Sequence, residues 1–486
     1  MQFSKLYDVA QTRALDKALT VGLLTQTNLI EIASKSVLAE LKKKWPHCHD
    51  IGILCGPGGN GADGFCLADF AISEGLNVTV YLLQDEGSIS EIGRKYLEVI
   101  KKRDVKITLS QEFSCAHDVL VDAVFGLGIN RQIRGHTKGI FEKINSSNIP
   151  VIAIDVPSGV YCDNGKIDKI AFKANRTLAL HRLKPCHVLL PGKEYSGQIT
   201  LLDIKIANLD KDTTLQLIER PSLKLPTHQM HKYSRGELLI IASREMFGAS
   251  KLTTLAASQT AFKSGAGIVK LLVHENDLDI YKYHVLEEIL LTFKTVNELK
   301  LLINDSSTIV FGCGLKNTKF NQEILNYILA RKVNIVFDAG AFSMMSNSKE
   351  KFKKLLHNHI GQKVLTPHFG EFSKIFRVSD NKINYCLNAA KETDSIILLK
   401  GNDTVVANKN GNIKINYFTT PFLATAGTGD ILAGLIGGFL AQGYSALKAA
   451  CYGCYIHSQS ALKLDRNFVA SELIDEIPHV IRKISK

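Results

Sequence analysis

Long apolar runs are missing from this 486-residue chain: the longest, Ile431–Ala441, is glycine-rich and stops well short of the roughly 20 residues a membrane span needs. The opening residues lack the charged-then-apolar pattern of a secretory signal, because Lys5, Asp8 and Arg13 interrupt them. Cysteine spacing is uninformative: Cys451 and Cys454 form a single CxxC with no second pair, and Cys48 between His47 and His49 has no further ligands in sequence. Four ligands at recognisable spacing would be needed for zinc, so the ten cysteines are expected as small buried hydrophobes. Basic stretches are short (Lys42–Lys44, Lys353–Lys354) and carry no interleaved aromatic platform, which excludes an obvious nucleic-acid surface. No internal repeat or low-complexity segment occurs. These absences predict a reduced, soluble, cytoplasmic protein without membrane or nucleic-acid partners.

What is present is ordinary globular composition, 45% hydrophobic and 22% charged, with a formal charge of +12. The excess positive charge serves solubility or steers small anionic ligands. The length calls for two or three domains. The N-terminal stretch through Leu41 reads as helical, with Asp16, Glu31 and Glu40 on polar positions. From Asp50 to about Ala207, strands and helices alternate as in a doubly wound α/β sheet. The polar run Ala207–Thr213 and the Pro-bearing stretch Pro221–His228 mark a boundary, giving domains 1–212 and 229–486 with a linker over 213–228. In the second half Val405–Ile415 carries an Asn-Gly turn between alternating strands and predicts a hairpin.

The most informative segment is Ala424-Thr425-Ala426-Gly427-Thr428-Gly429-Asp430, running into an apolar helix. A helix N-terminus leaves backbone N–H groups unpaired and carries partial positive charge, so an anion can sit there. Asp430 is placed to act as base on a hydroxyl beyond that anion. Four further strand ends supply small, glycine or polar residues: Gly248-Ala249-Ser250, Gly312-Cys313-Gly314-Leu315, Thr366-Pro367-His368-Phe369-Gly370-Glu371 and Lys400-Gly401-Asn402-Asp403-Thr404. Open α/β sheets bind ligands at such ends. Together these segments resemble the ADP-dependent NAD(P)H-hydrate dehydratases of the ribokinase-like superfamily, over about residues 229–486.

The first half has its own series. Strand Asp50–Cys55 enters the loop Gly56-Pro57-Gly58-Gly59-Asn60-Gly61-Ala62-Asp63-Gly64, then a helix. Asp118–Phe125 leads into Gly126-Leu127-Gly128-Ile129-Asn130-Arg131-Gln132, and Val151–Ile154 into Asp155-Val156-Pro157-Ser158-Gly159. The three loops resemble the NAD(P)H-hydrate epimerase domain, and the fusion resembles the bifunctional NAD(P)H-hydrate repair family. Six positions depart from the patterns, among them Lys316, where a Gly is usual. One Asn of the first loop is missing at Gly59, Ala62 replaces a Gly, and Leu127 replaces a Thr; Cys313 stands where a Pro is usual and Gly340 where an Asp is usual.

The resemblance implies an N-terminal Rossmann-like sheet and a C-terminal ribokinase-like α/β domain. It implies that hydrated NADH or NADPH carries a C6 hydroxyl that ADP or ATP, with magnesium, phosphorylates before phosphate leaves. Asp430 would be the base, Gly429 and Lys400–Thr404 would hold the nucleotide, and Ala249, Gly314 and His368 would border the hydrate. In the epimerase half, Gly59–Asp63 and Gly126–Gln132 would bind the dinucleotide, and Asp155 would contact it or move a proton. Asn60, Asp122 and Ser158 would hold a potassium ion. A homo-oligomer is expected. Two alternatives stay open at this point: a dehydratase with an inert N-terminal binding module, and a ribokinase-like vitamin-precursor kinase.

Overall fold

The computed structural model describes residues 4–22, 25–103, 105–129, 132–204, 213–223, 227–264, 267–285, 287–305 and 307–485. The chain divides into two compact units, Met1–Thr213 and Thr214–Lys486. In the first, short apolar runs bounded by turn residues become strands β1 (Asp50–Cys55), β2 (Asn77–Leu82), β3 (Lys106–Leu109), β4 (Val119–Ala123), β5 (Val151–Ile154), β6 (Arg176–Leu180) and β7 (Gln198–Leu202). They form one wholly parallel sheet in the order β3-β2-β1-β4-β5-β6-β7. The strand order reverses between β1 and β4, and the crevice beyond their carboxyl ends is where such sheets take ligands. The N-terminal stretch read as helical forms two helices, Val9–Gly22 and Gln26–Lys44.

The second unit contains β8 (Leu215–Leu217), β9 (Glu237–Ile241), β10 (Ile268–His274), β11 (Ile289–Phe293), β12 (Thr308–Phe311), β13 (Asn334–Phe337), β14 (Lys363–Leu365), β15 (Ile396–Leu399), β16 (Val405–Ala407) and β17 (Ile413–Ile415). Their order is β11-β10-β9-β12-β13-β14-β15-β16-β17-β8, with the reversal between β9 and β12. The Asn-Gly hairpin stands as expected: β16 and β17 pair antiparallel, and the Gly411 amide donates to the Asn408 carbonyl at 3.2 Å. The expected linker 213–228 needs correcting, because it contains β8, which pairs parallel with β17 from Ile413↔Leu215 to Ile415↔Leu217. The polar run at 207–213 falls almost wholly outside the described residues.

Helices cover the sheets, and the central strands are apolar because both their faces are buried, while edge strands such as β3 and β11 keep exposed positions. Nine of the ten cysteines are buried, with Cys115 exposed. Among the described residues, no helix is long and apolar enough to cross a membrane.

Candidate active sites

In the first unit, the loops after β1, β4 and β5 converge on a cavity of about 460 Å³. Gly59, Asn60, Asp63, Gly126, Leu127, Gly128, Ile129 and Asp155 all line it. Gly61 and Ala62 are buried and do not line it, so Ala in place of the usual Gly is a packing change. Gln132 does not line it either, and Asn130 and Arg131 lie outside the described residues.

Asp122, next to last in β4, is fully buried, and the Ser158 hydroxyl and backbone amide donate to its two oxygens at 2.6 and 2.7 Å. The Val124 amide adds a third bond at 3.2 Å. Burial pushes the Asp122 carboxyl up to about 7 against these hydrogen bonds. A Cβ on Gly126 would stand 3.6 Å from Asn60 Oδ1, and Asn60 Nδ2 is buried without a hydrogen-bond partner among the described residues.

Asp155 has φ +64°, an uncommon backbone for a non-glycine residue and of the kind concentrated at working sites. Its carboxylate accepts from the Leu180 amide at 2.9 Å and pairs with the Lys184 ammonium, both side chains being buried. His187 holds the same residue from behind. Its Nδ1 accepts from the Lys184 amide at 3.0 Å, so Nε2 carries the proton and donates to the Asp155 carbonyl at 2.8 Å. Neither Lys184 nor His187 is visible as functional in sequence, since each lies about thirty residues beyond Asp155 in a mixed basic and apolar stretch. Removing one partner of such a buried pair costs about 3–5 kcal/mol.

In the second unit, a cavity of about 540 Å³ is lined by His368, Lys400, Gly401, Asn402, Thr404 and Gly429. Asp403 does not line it: its carboxylate is bound by Lys382 at 2.5 Å, which fixes the loop rather than facing the space. His368 caps the helix Phe369–Ile375, with Nδ1 accepting from the Gly370 amide at 3.0 Å.

Gly427, in the left-handed region at φ +89°, turns the chain into the helix Thr428–Ala441, whose first turn has no side-chain cap. Those amides and the dipole are therefore turned outward for an anion. Beside them Lys400 Nζ binds Asp338 Oδ1 at 2.7 Å, and the Thr366 hydroxyl donates to the same oxygen at 2.8 Å. Asp338 Oδ2 would lie 3.6 Å from a Cβ on Gly429. The Cys313 thiol and the Asp338 and Asp430 carboxyls offer atoms within 4.8 Å of one another. Burial, then Asp338, pushes Asp430 up to about 6, while the Cys313 hydrogen bond and Lys400 pull it down. Ala249 and Gly314 stand against each other one residue along from Cys313, a Cβ on Gly314 meeting that of Ala249 at 3.0 Å.

Backbone contact fixes the Asp430 helix in place. A Cβ at Gly434 would run into the Thr253 carbonyl of the helix Phe247–Ser264, and one at Gly437 into Val310 of β12. Sequence reasoning missed His457, which lines the cavity and donates to the Thr428 carbonyl at 2.9 Å. Burial pushes it down to about 4, so it is neutral at physiological pH.

Residues 238–483 match the model of the NAD(P)H-hydrate dehydratase family, and residues 26–186 match the YjeF-related protein N-terminus family. A bifunctional NAD(P)H-hydrate repair enzyme of Coxiella burnetii is 27% identical, covering 98% of each chain. One of Synechocystis sp. is 30% identical, covering 81% of this chain and 77% of its own. A crystal structure of an ADP/ATP-dependent NAD(P)H-hydrate dehydratase from Bacillus subtilis, co-crystallised with ATP and magnesium, is 27% identical over 55% of this chain and 95% of that one, at TM-score 0.46. Matched by both family models and by a 30% identical relative over 81% of its length, the chain belongs to the family of bifunctional NAD(P)H-hydrate repair enzymes.

Proposed function

We propose that the second unit moves a phosphoryl group from ADP or ATP to the C6 hydroxyl of the S epimer of hydrated NADH or NADPH. Hydroxide leaves poorly and phosphate leaves well, so expulsion of phosphate, helped by the ring nitrogen, restores the dihydronicotinamide. Asp430 takes the hydroxyl proton. The outward amides of Thr428, Gly429 and Asp430, with Lys400, stabilise the transferring charge. Gly401, Asn402 and Thr404 border the nucleotide, Asp403 steadies their loop through Lys382, and His368 borders the hydrate, whose far side would reach Ala249 and Gly314 outside that cavity's lining. The observation that carries this assignment is the Asp430 carboxyl, raised toward neutrality at the uncapped start of the Gly427-led helix. Magnesium fits as a companion of the nucleotide phosphates: Asp338 keeps Oδ2 for it while Lys400 and Thr366 hold Oδ1.

The first unit, in the same proposal, interconverts the R and S epimers so that both reach the second site. Gly59, Asn60, Asp63 and Gly126–Ile129 hold the dinucleotide, and Asp155, paired with Lys184, exchanges a proton with the hydrate. Potassium fits beside Asp122. A buried carboxylate bonded only to hydroxyl and amide groups gains its charged state from a monovalent cation. Asn60, Asp122 and Ser158 would supply the oxygens.

Separate incubations of pure R- and S-hydrate with the full chain test the pair of activities. The S epimer should be repaired with ADP consumed, and the R epimer should be repaired through prior epimerisation. R-hydrate left untouched while S-hydrate is repaired would reduce the first unit to a binding module.

A further inference from the structure

The helix Val9–Gly22 lies ahead of the segment matched to the YjeF-related family, and its polar side chains read in sequence as a solvated face. It is held beside the first cavity by its N-terminal end and by its apolar stripe. Asp8 caps it, accepting from the Gln11 amide at 2.7 Å, and the Val9 amide donates to Asp163 at 2.8 Å. The Tyr7 amide donates to the Leu183 carbonyl at 3.0 Å, one residue from Lys184. Leu15 and Leu19 are buried in a small core with Tyr7 and Ile204. With that stripe turned inward, the next face of the helix carries Arg13 and Asp16 into the cavity.

Asp16 also lines an adjoining space of about 440 Å³ with Lys17, Asp63, Asp155 and Lys184. Arg13 faces the second glycine loop, its Nη2 lying 3.8 Å from where a Cβ on Gly128 would stand. The helix thus brings one cation to the loop expected to hold phosphates and one carboxyl to the group around Asp155.

We propose that Asp16 is a proton-exchanging carboxyl of the epimerase, acting with Asp155 on the C6 hydroxyl; this rests on the epimerase assignment above. The C6–O bond breaks as the hydroxyl takes a proton from Asp16 and leaves as water, while the ring-nitrogen lone pair forms a C=N⁺ bond. Water then adds to the other face of C6 and gives its extra proton to the Asp155 carboxylate. Solvent in the open cavity returns the proton to Asp16, and nothing is oxidised or reduced. The surroundings divide the two roles. Asp16 remains exposed to solvent on its helix, and partial desolvation at the cavity shifts it upward, with Lys184 opposing and Asp155 adding to the shift. Asp155 faces the Lys184 ammonium directly.

The test uses the full chain, with R-to-S conversion followed by chromatographic separation of the epimers. Asp16→Asn should lower kcat by about 100-fold or more with KM changed less than about threefold, and Asp16→Glu should recover at least about a tenth of the lost activity. The alkaline limb of the pH profile, set by Asp16 among Arg13, Lys17, Asp63, Asp155 and Lys184, should flatten in the Asn variant. Repair of S-hydrate by the second unit should be unchanged, which reports a correctly made chain. An Asn variant with near-normal kcat, a loss confined to KM, or a Glu variant as inactive as Asn with an unchanged melting temperature would each overturn the role. If the unmodified chain leaves R-hydrate untouched, the epimerase assignment itself fails and this role falls with it.

Discussion

Asp430→Asn isolates the base at the start of the catalytic helix. The carboxyl titrates near 6 because burial and then Asp338 penalise its charged form. It must be ionised to accept the hydroxyl proton, so the unmodified enzyme should lose kcat/KM as pH falls through about 6. At pH 5 only about a tenth of such a group is ionised, which predicts roughly tenfold lower kcat/KM than at pH 8. The Asn variant keeps the Thr428–Asp430 backbone, Lys400 and the loop lining the cavity, so nucleotide binding should be nearly intact. Its turnover should fall on the order of 100- to 10,000-fold, and the acid limb should vanish with the titrating group. The assay is the rate of NADH formation from S-hydrate and ADP across pH 5 to 8.5, beside nucleotide affinity by calorimetry. Near-normal turnover in the variant, or an unchanged acid limb, would sink the assignment.

Cys313→Ala removes the hydrogen bond that lowers Asp430, so the acid limb should move to higher pH by up to about one unit, while Cys313→Ser should move it less; a shift downward refutes the coupling. Potassium should raise the melting temperature of the unmodified protein more than lithium does, and Asp122→Asn should erase that difference; a persistent potassium effect would place the ion elsewhere. A fragment 214–486 keeps β8 and should melt above a fragment 222–486, which leaves β17 as an open edge; equal melting would mean that β8 adds nothing.

The glycine-rich strand ends were legible because the demands they meet are local. A loop that approaches a phosphate needs small residues, and a hairpin needs its turn residues, so Gly56–Gly64, Gly427–Asp430 and Asn410-Gly411 stand out in one dimension. The partners of those loops were not legible, because they are chosen by tertiary contact. Lys184 and His187 sit among other basic residues, His181 and Arg182, and acquire meaning only when β6 brings the stretch beside Asp155. His457 rides on the helix Ala446–Leu464, whose other buried residues are mostly small ones that pack, so it reads as packing. Leu215–Leu217 is three residues long, too short for any period to register, and the neighbouring Pro-bearing stretch pulled the boundary past it.

Gly434 and Gly437 set how tightly evolution is bound at this site. Neither faces the cavity, yet each marks a surface where the Asp430 helix has no room to slide against Thr253 or Val310. A sequence drifting at those positions would move the carboxyl without altering any ligand-facing residue, and the damage would surface as lost rate in a protein that still folds. Heritable constraint on the chemistry therefore extends two turns into the hydrophobic interior, to residues that a survey of the cavity wall would pass over.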